Sequence, residues 1–230
     1  MILKKHAKDI VDVESWKRHC PPKKGDIQWR EGRSAKELAK YITKALPDVP
    51  VEIQTALKTI VPQESSFDWD AEYVTALPGK GEGRNHDGIL YNNDIVVTIE
   101  AKADETLGNL IEEEMNNASV NKLYRISKML GYLFDGGFKK YSKLRYQLLT
   151  ASVGTIIEAE RRKADCKELN TAVLFVLVFK TNGDISEEKL ISNHKDIEIF
   201  LEATNAYDED GFKVIPNNAG IKLYFKEIIL

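Results

Sequence analysis

Asp87, Glu100 and Lys102 fall close together in the segment HDGILYNNDIVVTIEAK. Two carboxylates brought to one place can grip a hard divalent cation such as Mg²⁺ or Mn²⁺, which prefers oxygen ligands. An ammonium beside them can orient a water or offset charge on a phosphate. Acid-x-base triplets are cheap in a chain with 36 Asp and Glu and 33 Lys and Arg; Glu31/Arg33, Glu82/Arg84 and Glu160/Arg162 are others. Glu100-Ala101-Lys102 differs from them because it ends the β-branched run IVVTIEAK, where charge is depleted. Side chains on a strand alternate between its faces, so Glu100 and Lys102 share a face with Thr98, and Val97, Ile99 and Ala101 take the other. The plainer alternative is an ion pair at a solvated strand end.

A hairpin would bring Asp87 to the same face. A two-residue loop at Asn92-Asn93 pairs Tyr91 with Asp94 and sets Asp87 opposite Thr98. Asp87 then lies diagonal to Glu100, roughly 7–8 Å away by Cα. A change of one residue in the loop would turn Asp87 to the opposite face. One further acid is a candidate, Glu72 on the preceding strand; Glu37 has a local role as a capping residue. His86 beside Asp87 reads either as a phosphate contact or, more simply, as a structural residue.

The elements that must position these groups follow from spacing. Residues 1–30 read as irregular, with a Pro-Pro-Lys-Lys-Gly breaker. Ser34 and Glu37 match a capping box at the start of a helix carrying Leu38, Tyr41, Ile42 and Ala45. Asp48 reads as the cap of a second helix through Ile60, stopped by Pro62. The period then changes to two over Phe67–Leu77, Asp87–Tyr91 and Ile95–Lys102, with the Gly-rich turn GKGEGRN between the first two strands. Helices are expected over Leu110–Leu133, ended by Gly136-Gly137, and over Tyr141–Lys163. Ala172–Phe179 (AVLFVLVF) is apolar on both faces, as in a central strand covered on both sides. After a turn at Asn182-Gly183-Asp184, Ser192 or Asn193 starts a helix to Ala203, and Phe212–Ile215 and Ile221–Phe225 are final strands. The expectation is an α/β fold: one domain over 1–230, a mixed sheet with an antiparallel meander, flanked by helices on both faces.

Composition narrows the class. At 230 residues, 43% hydrophobic and 30% charged, the chain is an ordinary globular one. The longest core-like apolar stretch is the eight residues of Ala172–Phe179, far short of a membrane span. No secretory signal follows the N-terminal lysines, and two cysteines are too few for a disulfide framework, so the expected setting is cytoplasmic. There is no P-loop, G-x-S-x-G or H-E-x-x-H, which disfavours nucleotide hydrolysis, serine hydrolysis and zinc chemistry. Net charge is -3, but Asn121–Lys163 holds ten basic and three acidic residues, leaving the rest at -10. A basic face on an acidic protein can meet a polyanion, although a solvated helix surface has the same composition. Tyr141 and Tyr146 alternate there with Lys139, Lys140, Lys143 and Arg145, a pattern compatible with nucleic acid.

An Asp followed by a short hairpin to Glu-x-Lys resembles the PD-(D/E)xK nuclease superfamily, the fold of many restriction endonucleases. The stretches WREGRSAKELAKYI, HDGILYNNDIVVTIEAKADETLGN and KLRYQLLTASVGTIIEAE are similar to a group of poorly characterised bacterial proteins placed in it. The likeness covers roughly residues 29–180. It implies a restriction-endonuclease-like core, Asp87 and Glu100 as ligands of Mg²⁺ or Mn²⁺, Lys102 as the water-positioning residue, and Glu37 as a helix-borne acid. It places Gln147 where some subfamilies carry Q-x-x-x-Y, but residue 151 is Ala, and the motif's Pro is replaced by His86. The expected function is a metal-dependent nuclease acting on nucleic acid, DNA before RNA. Arg33, Lys140, Lys143, Arg145 and Gln147 would contact the strand, with a homodimer as one arrangement. The alternative is a catalytically silent module of the same fold that binds nucleic acid or a protein.

Overall fold

The structure, a computed structural model, describes residues 2–23, 25–61, 66–103, 105–135, 138–180 and 187–230. The chain runs β1 (Leu3–Lys5), β2 (Lys8–Ile10), α1 (Val13–His19), α2 (Ser34–Ala45), α3 (Val51–Leu57), β3 (Asp68–Thr75), β4 (Arg84–Tyr91) and β5 (Ile95–Lys102). It continues with α4 (Ile111–Met115), α5 (Val120–Leu133), α6 (Tyr146–Lys163), β6 (Thr171–Val178), α7 (Glu187–Ala203), β7 (Tyr207–Glu209), β8 (Phe212–Ile215) and β9 (Lys222–Ile229). Among the described residues, nine strands form one mixed sheet in the order β2-β1-β3-β4-β5-β6-β9-β8-β7. The expected antiparallel meander is its β3-β4-β5 portion; β6 runs parallel to both β5 and β9.

Helices cover both faces, and β6 explains how. Ala172, Leu174 and Val176 belong to a core packed with α5, α6 and α7, while Val173, Phe175 and Leu177 belong to one packed with α1, α2 and α3. Every residue of β5 is buried. A strand with apolar side chains on both faces needs such double cover to remove its surface from water. α6 lies close on the sheet because its inward positions include Ala151, Ser152, Gly154 and Thr155, all buried. Thr155 of α6 hydrogen-bonds Thr98 of β5, fixing the Thr98 face toward α6.

Several expected boundaries shift. Residues 1–30 carry β1, β2 and α1, the last held by a capping box in which Asp12 accepts from Ser15 N at 2.7 Å. The expected helix over Leu110–Leu133 is two helices, broken at Asn117 in the left-handed region and restarted at Ser119, which caps Lys122 N. The helix expected from Tyr141 begins at Tyr146, after a 3-10 turn over Phe138–Tyr141. α3 is entered through Pro50, not Asp48, and α7 begins at Glu187, before Ser192. β7 was not anticipated. Pro62, Gly136-Gly137 and the turn at 182–184 lie outside the described residues. Among the described residues no helix is long and apolar enough to cross a membrane.

Candidate functional site

The hairpin that carries the site differs from the expected one in a specific way. Tyr91 pairs with Val96, and Ile89 with Thr98, so the loop spans 92–95 and closes with Asn92 N donating to Ile95 O. Asn92 Oδ1 accepts from Asp94 N and Ile95 N, which builds the longer turn. The correction moves Asp87 two places along β5, from Thr98 to the level of Glu100. An even shift preserves the face of a regular strand, and Asp87 and Glu100 line one cavity.

At that level the sheet opens. Main-chain pairing of β4 with β5 ends at Gly88↔Ile99, while β5 stays paired with β6 as far as Lys102↔Val178. Asp87 Oδ2 fills the gap by accepting from Ala101 N at 2.7 Å. On the other side of β4, Glu72 faces Asp87 where β3 turns over. Ala71 packs in the α1–α3 core, yet Tyr73, two residues on and expected on the same face, donates to Glu158 of α6. The switch occurs at Glu72, whose φ of 50° is a left-handed conformation that non-glycine residues seldom adopt. Three carboxylates on three neighbouring strands therefore stand at one level: Glu72, Asp87 and Glu100.

These three line a cavity of about 630 Å³ together with Arg84, Asn85, Lys102, Glu105, Arg33 and Gln147. Glu100 is 3% exposed and Lys102 is 5% exposed, so the solvated ion pair allowed by the sequence is not what forms. Lys102 Nζ lies 2.7 Å from Glu100 Oε1, and Arg84 donates to Glu100 Oε2. Burial lowers the pKa of Lys102, against the pull of Asp87 and Glu105. Burial likewise pushes the Glu72 carboxyl up to about 7, assisted by repulsion from Asp87 and opposed by its bond from Asn85 and by Lys5 and Arg84. Buried charges in this number are expensive, and apolar residues could fill the space at less cost. Their retention is unexplained by stability.

The other sequence candidates divide. Arg33 and Gln147 reach the cavity, from the start of α2 and of α6. Glu37 does not line it: its carboxylate accepts from Gly32 N at 2.9 Å and pairs with Lys40 at 3.3 Å. The capping box also fails, since Ser34 is the first helical residue behind Arg33 and its hydroxyl goes to Glu105. Arg145 is tied to Asp196 at 2.7 Å and to Gly108 O, Lys143 pairs with Glu112, and Lys140 sits over the Tyr141 ring; none of the three lines the cavity. Within the basic stretch, Arg161 and Arg162 hold the buried Glu158, and Arg125 donates to the carbonyls of Pro78, Lys80 and Glu82. His86 is wholly buried against Gly154 of α6, a structural position. Arg84 falls within the expected Gly-rich turn GKGEGRN, whereas β4 begins at it; an arginine in a loop carries no signal until the gap between β4 and β5 is known.

The donor chemistry suits an oxygen-seeking ion, with two carboxylates from adjacent strands and room for water. Mg²⁺ keeps several waters and takes only one or two carboxylates, so Asp87 and Glu100 suffice. Among the described residues no three His, Cys, Asp or Glu side chains form a ready-made cage.

Fold and site together define a mixed α/β domain with an open acidic-basic cavity at a gap in its sheet. Residues 9–229 match the model of a domain of unknown function (DUF6946), and the chain belongs to that family. No curated protein and no solved structure matches it.

Proposed function

We propose that this protein is a metal-dependent nuclease that hydrolyses phosphodiester bonds, DNA being its first candidate substrate, on a restriction-endonuclease-like core. The observation that carries this reading is the convergence of Asp87, Glu100 and Lys102 on one cavity. Asp87 and Glu100 would hold Mg²⁺ or Mn²⁺. When bound, the ion supplies Lewis-acid polarisation of the phosphate and a water of lowered pKa. Lys102 Nζ, anchored on Glu100, directs its remaining protons to the attacking water or a phosphate oxygen. Asp87 is kept in place by the Ala101 amide, so its outer oxygen is presented without side-chain freedom to lose. Gln147 and Arg33, on the cavity walls, would position the strand.

A second reading has one observation in its favour. Both oxygens of Glu100 already hold cations, so the site is balanced internally, as a silent binding module would need. Incubation with single- and double-stranded DNA and with RNA separates the two. The nuclease reading expects cleavage with Mg²⁺ or Mn²⁺, none in EDTA, and a fall of about a hundredfold or more in Glu100→Gln and Lys102→Ala. Intact substrates under every condition would overturn it.

A further inference from the structure

Glu100 has two carboxylate oxygens, and each is occupied: Oε1 by Lys102 Nζ at 2.7 Å and Oε2 by Arg84. A divalent ion that takes Glu100 as a ligand is repelled by both cations, and the one held less firmly gives way more easily. Lys102 lies two residues away on the same strand and is the more enclosed, its side chain 6% exposed against 13% for Arg84. Arg84 comes from β4 across the stretch where the β4–β5 ladder has ended. Its guanidinium keeps one buried donor, Nε, without a partner, and its side chain lines the cavity. Burying such a donor costs free energy that a ligand oxygen would recover.

We propose that Arg84 is a further catalytic residue: a resident cation that holds Glu100 until a divalent ion takes its place, and then clamps a non-bridging oxygen of the substrate phosphodiester. The inference rests on the metal-dependent reading of the site. The guanidinium fork matches two phosphate oxygens, whereas an ammonium makes a point contact. Cation and substrate binding are therefore coupled through Arg84, each favouring the other.

The test measures Mn²⁺ binding alone by calorimetry, and binding of a fluorescent DNA oligonucleotide by anisotropy in Ca²⁺ and in EDTA. The variants are Arg84→Gln, Arg84→Lys and Glu100→Gln. Removing the competing charge makes Arg84→Gln bind Mn²⁺ about tenfold more tightly than the parent protein while losing about tenfold in Ca²⁺-supported DNA affinity. Arg84→Lys keeps the charge on Glu100, so its Mn²⁺ affinity stays near the parent's while its DNA affinity falls. If Arg84→Gln does not fold, Arg84→Lys carries the test, and unchanged DNA affinity in it overturns the proposal. Mn²⁺ binding that is lost in Glu100→Gln but identical in both Arg84 variants overturns the role of Arg84 alone. A parent protein that takes up no Mn²⁺ overturns the metal-dependent reading and this inference together.

Discussion

Replacing Glu72 by Gln should stabilise the protein at alkaline pH and leave it unchanged in acid. Glu72 is desolvated between β3 and β4 and faces the Asp87 carboxylate, which raises its pKa from the ordinary 4.5 to about 7. Below pH 4.5 the carboxyl is protonated whether folded or not, and it carries no penalty. Between 4.5 and 7 the unfolded chain ionises first, so stability falls as pH rises; above 7 the accumulated loss is about 3 kcal/mol. Gln cannot ionise, and it keeps an acceptor for Asn85. The difference between variant and parent should grow from about zero at pH 4 to about 3 kcal/mol at pH 8. Urea unfolding at pH 4, 6 and 8 in EDTA reads it directly. Other titrating groups, including His86, cancel in the difference. Parallel stability curves for the two proteins would refute the placement of Glu72 against Asp87. Adding Mg²⁺ should shrink the difference, because a nearby divalent charge favours the ionised parent carboxyl.

Asp87→Asn should fold with a loss of about 1–2 kcal/mol, since the amide oxygen still accepts from Ala101 N, but calorimetry should find Mg²⁺ binding abolished. His86 is buried without a partner for either ring nitrogen, and burial together with Arg84 holds its pKa well below 6.5. The unfolded chain therefore takes a proton first as pH falls below 6.5, so the contribution of His86 to stability falls from pH 7 to 5, and in thermal unfolding the difference between His86→Leu and the parent should move in the variant's favour over that range. Gly154→Ala should destabilise by about 1–2 kcal/mol despite its better helix propensity. Its methyl would meet His86 Nε2 at 2.9 Å and Arg84 Cβ at 3.2 Å, and chemical denaturation checks the sign.

Much of the site was legible because charge at the end of an apolar run is rare. The β-branched pattern of β5 and the two-faced apolar run of β6 fixed the central strands, and side-chain alternation put Glu100 and Lys102 together. Register was harder. The loop reads as two residues until the Asn92 side chain is seen to accept from two backbone amides, a contact that propensity does not encode. The β1–β2 hairpin turns at His6 and Ala7, both with positive φ and neither a usual turn former. Ser34 resembles an N-cap, but its hydroxyl is drawn away by Glu105, far off in sequence. The local rule that makes Glu37 a capping-box partner is thus overridden by tertiary structure, and the helix-borne acid that the resemblance implies is not at the cavity. The place of Arg84 depends on where β4 parts from β5, and the conformation of Glu72 on where β3 turns over, which only the assembled sheet defines.

The most direct measurement is anomalous diffraction from crystals soaked in Mn²⁺. A single strong peak about 2 Å from carboxylate oxygens of both Asp87 and Glu100, with the Arg84 guanidinium displaced from Glu100, is the predicted result. Full ion soaking that leaves the cavity without a peak, and Arg84 and Lys102 still seated on Glu100, would contradict it.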